Sequence, residues 1–178
     1  MKIVIDVGHN RNAPGAANGT YGIDEFTLNN IEAVGLKPLL ENDGHDVNIF
    51  YRDTYETLPK QINALNPDLI LSLHHNAAAA ANAEGTEVLH WHTSRLGQIL
   101  ATSLQRNICN ALGTRDRGLK PIKHDDRGGY QLGGTKAPCV ILEPIFMSTD
   151  SELEMFLHKI TNYQYAILNS VAEFEAVR

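Results

Sequence analysis

Cysteine is almost absent from this chain, with two in 178 residues, Cys109 and Cys139. A disulfide-stapled scaffold is therefore excluded, and staples are not needed, because one domain of this length can bury an adequate core. Cys109 falls in a helical stretch and Cys139 in a strand. Both read as buried free thiols, with a single disulfide between them left open. Positive charge is also scarce. The 15 Lys and Arg against 21 Asp and Glu give a formal net charge of −6, which argues against nucleic acid as the main partner. No run approaches the ~18 apolar residues that a membrane span needs. The first strand starts at Lys2, so no signal peptide is read. The expectation is synthesis in the cytoplasm and action after release, or a trimmed secreted domain. Internal repeats and low-complexity linkers are missing too, and a single domain over residues 1–178, monomeric, is expected.

What is present is a regular alternation of apolar strands and amphipathic helices. Strands are predicted at 2–7, 47–51, 69–74, 87–91 and 139–143, short and rich in β-branched residues or leucine. The first helix opens near Asp24 with Leu28, Ile31, Val34, Leu39 and Leu40 as its apolar stripe, a kink at Pro38 and Gly44 as cap. A short helix spans 58–65. A longer one runs from Ser94 as N-cap to Gly113, with Leu96, Ile99, Leu100, Leu104, Ile108 and Leu112 inward. Thr149 and Glu152 suggest a capping box for a closing helix that breaks near Asn162. Residues 8–22 and 114–134 read as loops, and 77–83 as either a loop or one helical turn. The fold class is α/β, a mostly parallel twisted sheet flanked by helices.

Three of the strand-forming runs end in a polar residue that can do chemistry: His9, His74 and Glu143. In open α/β sheets the ligand crevice lies outside the carboxyl ends of the strands, so these three converge on one rim. Glu25 opens the first helix within reach of it. Two His and one Glu (His9, His74 and Glu25) make a catalytic zinc set that leaves one position open. Glu143 is then placed to act as general base. An ionised Glu directly after Val140-Ile141-Leu142 is costly without a partner, and a zinc site beside it would supply one. The residues by themselves point to zinc-dependent hydrolysis of an amide, with zinc sited at the C-terminal ends of the strands.

Read in order, these segments resemble the zinc-dependent N-acetylmuramoyl-L-alanine amidases of the amidase-3 type, over nearly the whole chain. The resemblance is carried by Ile5-Asp6-Val7-Gly8-His9 with Pro14-Gly15-Ala16, by Gly22-Ile23-Asp24-Glu25 with Leu28-Asn29, and by Ser72-Leu73-His74-His75-Asn76-Ala77. It continues through Gly85-Thr86-Glu87-Val88, Asp116-Arg117-Gly118-Leu119-Lys120, and Pro138 to Glu143 with Phe146-Met147-Ser148. It implies one zinc held by His9, Glu25 and His74, Glu143 as the catalytic residue, and peptidoglycan or a muropeptide as substrate. The bond implied is the amide between the lactyl group of N-acetylmuramic acid and L-alanine. Wall degradation as a phage or prophage lysis enzyme is one expected setting. A zinc peptidase acting within the stem peptide, or a silent peptidoglycan-binding module, are the alternatives, and an intact Glu143 argues against the last. Two departures stand out. Asn10, Arg11, Asn12 and Ala13 replace the glycines and aspartate usual after the first His, and Pro144-Ile145 precedes Phe146 where a Gly is usual. Both fall on the shape of the cleft rather than on the four chemical residues. The segment from His74 to Glu143 must supply a strand, a helix, a loop and a strand, so little remains for an occluding lid.

Other candidates are read more modestly. His75 neighbours His74 on a strand and so faces the opposite way. His90 and His92 share a strand face and form a rival metal pair, but no carboxylate motif accompanies them, and substrate contact at the rim is the favoured reading. Arg115, Arg117, Lys120, Lys123 and Arg127 lie among Asp116, Asp125 and Asp126. Substrate contacts by Arg117, Lys120 and Lys123 to stem carboxylates, or a solvated loop of mixed charge, both remain open. Asn76 is a further substrate-contact candidate, and with Asp6 it could orient the ligands.

Overall fold

The central strands owe their position to side chains that are apolar on both faces. In β1 (Lys2–Val7), Ile3, Val4, Ile5 and Val7 are all fully buried, and β5 (Leu69–Leu73) is buried throughout. Such strands form only where both sheet faces are covered. The computed structural model describes residues 1–80 and 82–178. Residue 81, within the 77–83 stretch read as either a loop or one helical turn, lies outside the described residues. In chain order the elements after β1 are β2 (Ala17–Asn18), β3 (Ile23–Asp24), α1 (Glu25–Asn42), β4 (Asp46–Tyr51), α2 (Leu58–Ala64) and β5. Then come β6 (Thr86–Trp91), α3 (Arg95–Leu112), β7 (Asp116–Ile122), α4 (Gly129–Gly134), β8 (Cys139–Glu143) and α5 (Asp150–Glu175). Six strands form one sheet in the order β4-β1-β5-β8-β6-β7, and β2 with β3 forms a small hairpin beside it.

Period-two alternation divides the core. Ile3, Ile5, Val7, Leu71 and Leu73 pack with Leu28, Leu36, Leu100, Leu104, Phe156, Ile167 and Val171 of α1, α3 and α5. Val4, Ile70, Leu89 and Ile141 pack on the other face with Leu58, Ile62 and Leu132 of α2 and α4. Ser94 and Gly113 cap α3 as expected, Gly113 at φ 76. Cys109 and Cys139 are free.

Several expectations are corrected. β7 and α4 occupy the stretch read as a loop, 114–134. The sheet is mostly parallel, as expected, but within it β6 pairs antiparallel with β8, Glu87 opposite Glu143 and His90 opposite Val140. The face of α1 that turns inward keeps Leu28 and Leu40 of the expected stripe but not Ile31 and Val34, which are 47% and 56% exposed while Asn29 and Glu32 are fully buried. No capping box forms at α5. Thr149 Oγ1 donates to the Ala83 carbonyl, and the Glu152 carboxylate accepts the N–H groups of Gly85 and Phe146. These loop-binding bonds take both side chains from the helix end. The helix also runs unbroken past Asn162.

Asp6 sits fully buried on the α2/α4 side of β1. Its Oδ2 accepts hydrogen bonds from Ser72 Oγ at 2.6 Å and Gln131 Nε2 at 2.8 Å, while Oδ1 has no partner. Burial pushes its carboxyl above the usual range, the two hydrogen bonds offsetting this only in part. Between the unfolded and the raised folded pKa, the folded state binds the extra proton. Stability contributed there is full below the unfolded value, about 3.9, and is lost as pH rises. Asp6→Asn should therefore gain stability relative to the parent as pH goes from 4 to 7. Denaturant midpoints at the two pH values measure this, and a gap that does not change with pH would contradict it.

Candidate metal centre and its cleft

The loop after β1 turns sharply to bring His9 over the end of β5. His9 itself has φ 68, a conformation that non-glycine residues rarely hold without support from their surroundings. Gly8 makes the approach possible. Its N–H donates to the Leu73 carbonyl at 3.0 Å, and a Cβ there would lie 2.6 Å from His74 Cε1. Gly15, at φ 83, lets the returning loop pass Glu25, where a Cβ would lie 2.6 Å from Oε2. Asp24 caps α1 by accepting the Thr27 N–H at 2.8 Å, which fixes Glu25 in the first turn.

Glu25 is the centre of the cluster. Oε2 lies 3.1 Å from His9 Nε2 and Oε1 lies 3.0 Å from His74 Nδ1. Oε1 also accepts the His75 N–H, and Oε2 the Ala16 N–H. Burial alone would raise this carboxyl, but the hydrogen bonds from His74 and His9 outweigh it and hold Glu25 well below the usual carboxylate range. One ligand atom from each of His9, Glu25 and His74 lies within 4.8 Å of the others. Tetrahedral zinc ligands at about 2.0–2.1 Å stand ~3.3 Å apart. Each histidine donor stands near that distance from one Glu25 oxygen, and the donor chemistry fits such an ion.

His75 faces the opposite way, as its place beside His74 requires. Its Nε2 lies 3.0 Å from Glu32 Oε1 with both side chains fully buried, and Asn29 Oδ1 is 3.0 Å from Nδ1. Its ring meets Phe156 edge-on. Asn29 Nδ2 also donates to the Gly8 carbonyl. The buried polar residues of α1 therefore tie the helix to both histidine-bearing loops.

Glu143, at the end of β8, is nearly fully buried and lines the same cavity of about 300 Å³ as His9, Glu25 and His74. Oε1 lies 2.7 Å from Arg127 Nη2, and Oε2 has no hydrogen-bond partner. Burial pushes its carboxyl upward, and the Arg127 guanidinium offsets this only in part. A carboxyl lining the cavity with one oxygen unengaged suits acid–base work. Arg127 donates to Asn76 Oδ1 at 3.2 Å as well. Asn76 bridges the loops after β5 and β8, its N–H bonded to the Ile145 carbonyl and its carbonyl to the Met147 N–H. Arg52, Tyr55, Leu89, Gly128, Gln131 and Ile141 complete much of the wall.

The other expected contacts lie elsewhere. β6 runs antiparallel, so its carboxyl end points to the far rim. His90 is 3% exposed, with Nδ1 3.1 Å from the Trp91 carbonyl, and the His92 ring lies tilted against Trp91. Neither lines the cavity, which corrects their reading as rim contacts. The residue that β6 brings to the rim is Glu87, held below the usual carboxylate range because Asn76, Arg117 and Lys120 outweigh its burial. Arg117 is paired to Glu87 at 2.8 Å and lies over the Phe146 ring. Lys120 Nζ donates to the Arg117 carbonyl and lies 3.8 Å from Glu87. Lys123 is exposed beyond the far end of β7. Of the basic cluster only Arg127 lines the cavity. The Gly128-Gly129 turn after it was a sequence signal that the chain doubles back there.

A mostly parallel sheet with a His/Glu/His donor set at its carboxyl rim defines an α/β fold built around a candidate metal centre. Comparison with known proteins gives the family. Residues 3–174 match the family model described as N-acetylmuramoyl-L-alanine amidase, and the chain belongs to that family. The chain is 28% identical over 162 residues to the N-acetylmuramoyl-L-alanine amidase LytC of Bacillus subtilis, covering 84% of this chain and 30% of LytC. It is 30% identical over 156 residues to the probable cell wall amidase LytH of Staphylococcus aureus, covering 86% of this chain and 50% of LytH. The chain thus spans half or less of the length of these relatives. Among solved structures, the CwlD amidase of Clostridioides difficile, in complex with the GerS lipoprotein, superposes with TM-score 0.85 at 22% identity over 99% of both chains. The catalytic domain of the CD27L endolysin, which targets Clostridia difficile, gives 0.82 at 24% identity over 97% of both.

Proposed function

We propose that this chain is a zinc-dependent N-acetylmuramoyl-L-alanine amidase that hydrolyses the amide between the lactyl group of N-acetylmuramic acid and L-alanine in peptidoglycan. The observation that carries this reading is the convergence of the His9, Glu25 and His74 donors with the Glu143 carboxyl on one cavity. When bound by these three residues, zinc supplies Lewis-acid polarisation of the amide carbonyl and acidification of water. Glu143 accepts a proton from the attacking water at its unpartnered Oε2 and delivers it to the departing nitrogen. Water is consumed, the C–N bond breaks, and a lactyl carboxylic acid and a peptide with a free L-alanine amine result. Arg127 holds Glu143 Oε1, which orients the carboxylate. Wall degradation is the proposed role, in lysis by a phage or prophage enzyme or in remodelling.

Digestion of purified muropeptides, with new amino termini identified, tests the reading. Free L-alanine termini are expected. Termini from within the stem instead would make the chain a zinc peptidase, and no cleavage at all would leave a binding module. Arg127→Ala should lower kcat/KM by roughly 10-fold or more, because it leaves a buried carboxylate without its charge partner. It should also move the acid limb of the pH–rate profile upward, because the guanidinium favours the ionised form of Glu143. Arg127→Lys should recover part of both. A profile unmoved in Arg127→Ala would remove this role.

A further inference from the structure

A second groove adjoins the metal centre, and the chemistry of amide hydrolysis indicates what it holds. At the carboxyl rim the strands run β4, β1, β5, β8. The metal donors follow β1 and β5, and Glu143 ends β8 on one side of them. On the other side, beyond His9, lies a groove of about 750 Å³ between the loop after β1, the end of β4 and α1. Arg52 lines both this groove and the catalytic cavity, so the two are neighbours across that side chain.

The hydrolysis proposed above is directional. The departing nitrogen must reach Glu143, so the peptide extends toward Glu143 and Arg127. With the peptide on the Glu143 side, the groove side of the metal centre is left for the acyl half. Resting on the amide-hydrolase reading, we propose that this groove is the subsite for the N-acetylamino sugar carried by the acyl half. Its lining suits that ligand. The rings of Phe26 and Tyr51 offer apolar surface for the C–H face of a sugar, and Tyr51 is 48% exposed. Asn10, Asn12 and Asn30 offer side-chain amides or backbone groups for hydroxyl and acetamido groups. The wall is also preorganised. Asn10 Oδ1 accepts the N–H groups of Asn12 and Ala13, and its Nδ2 donates to the Asp53 carbonyl. Tyr51 Oη donates to Asn30 Oδ1 at 2.7 Å. This is where Asn10, Arg11, Asn12 and Ala13 replace the residues usual after the first His of the resembled family. The substitution therefore shapes the acyl side of the cleft and leaves the reacting centre alone.

The test compares two substrates of the zinc-loaded protein, N-acetylmuramoyl-tripeptide and the same lactyl-tripeptide without the sugar. The wild type should prefer the first by about tenfold in kcat/KM. Tyr51→Ala should reduce that preference about fivefold or more, the worth of one aromatic contact. Val34→Trp, which fills the groove from an exposed position on α1, should do the same and does not depend on removing a ring. A preference within twofold of wild type in both variants would overturn the subsite. So would equal wild-type rates on the two substrates. A wild type that releases an L-alanine terminus from neither would instead refute the hydrolase reading. An independent readout is N-acetylmuramic acid titrated into the protein and followed by NMR. Side-chain amide shifts at Asn10, Asn12 and Asn30 are expected. Shifts confined to Asn76 and Gln131 would put the sugar on the Glu143 side and reverse the orientation.

Discussion

Glu143→Gln should lower turnover by a factor of roughly 10² to 10⁴ while leaving bound zinc at the wild-type level, the usual worth of a positioned general base. The replacement keeps the shape of the side chain and removes its basicity. Its place in the cleft explains why the two readouts should separate. Glu143 lines the cavity, but the clustered donor set is His9, Glu25 and His74 without it. Its Oε1 is engaged by Arg127 and its Oε2 has no partner, which leaves one oxygen to handle the proton of water. Metal analysis and turnover on a soluble muropeptide, made on the same sample, decide the matter. Loss of zinc together with activity would make Glu143 a ligand.

His74→Ala and His75→Ala should fail in opposite ways although the residues are adjacent. His74 Nδ1 faces Glu25 in the cavity, so His74→Ala should lose nearly all bound metal and with it measurable turnover. Its side chain is partly exposed, and the fold should tolerate the change. His75 is paired with Glu32 in the core, both side chains fully buried. Removing the imidazole leaves the buried Glu32 carboxyl without its neighbour, which costs about 1–3 kcal/mol, and opens a void against Phe156. His75→Ala should therefore lower the denaturant midpoint sharply while the folded fraction still binds zinc. Metal content and unfolding curves of the two variants check this. A His75→Ala protein of normal stability without zinc would exchange the roles.

The candidate site was legible because it hangs on the strongest local signals in the chain. His9, His74 and Glu143 each follow a short buried run, and those runs became β1, β5 and β8 as read. Glu25 follows a good N-cap, and Asp24 does cap α1. What the local pattern does not carry is strand direction. β6 reads the same whether it runs parallel or antiparallel, and its reversal took His90 and His92 to the far rim and brought Glu87 to the near one. β7 was missed because it is an edge strand. Arg117, Gly118, Lys120 and Pro121 are what an edge tolerates and what a central strand excludes. Part of the inward face of α1 is polar for a structural reason. Hydropathy favours Ile31 and Val34, but Asn29 and Glu32 are buried to hold His75 and the Gly8 loop. The α5 cap failed because Thr149 and Glu152 bind loops that are distant in sequence, a competition that no local motif reveals. Arg127 shared its sequence neighbourhood with four other cations, and only the turn at Gly128 distinguished it.

The most direct measurement is a titration of metal-stripped protein with zinc, followed by release of L-alanine amino termini from a soluble muropeptide. A single site made by His9, Glu25 and His74 predicts no release without zinc, a linear rise on addition, and a sharp break at one equivalent per chain. Full release by the metal-free protein, or a rise that breaks elsewhere and survives in His74→Ala, would contradict it.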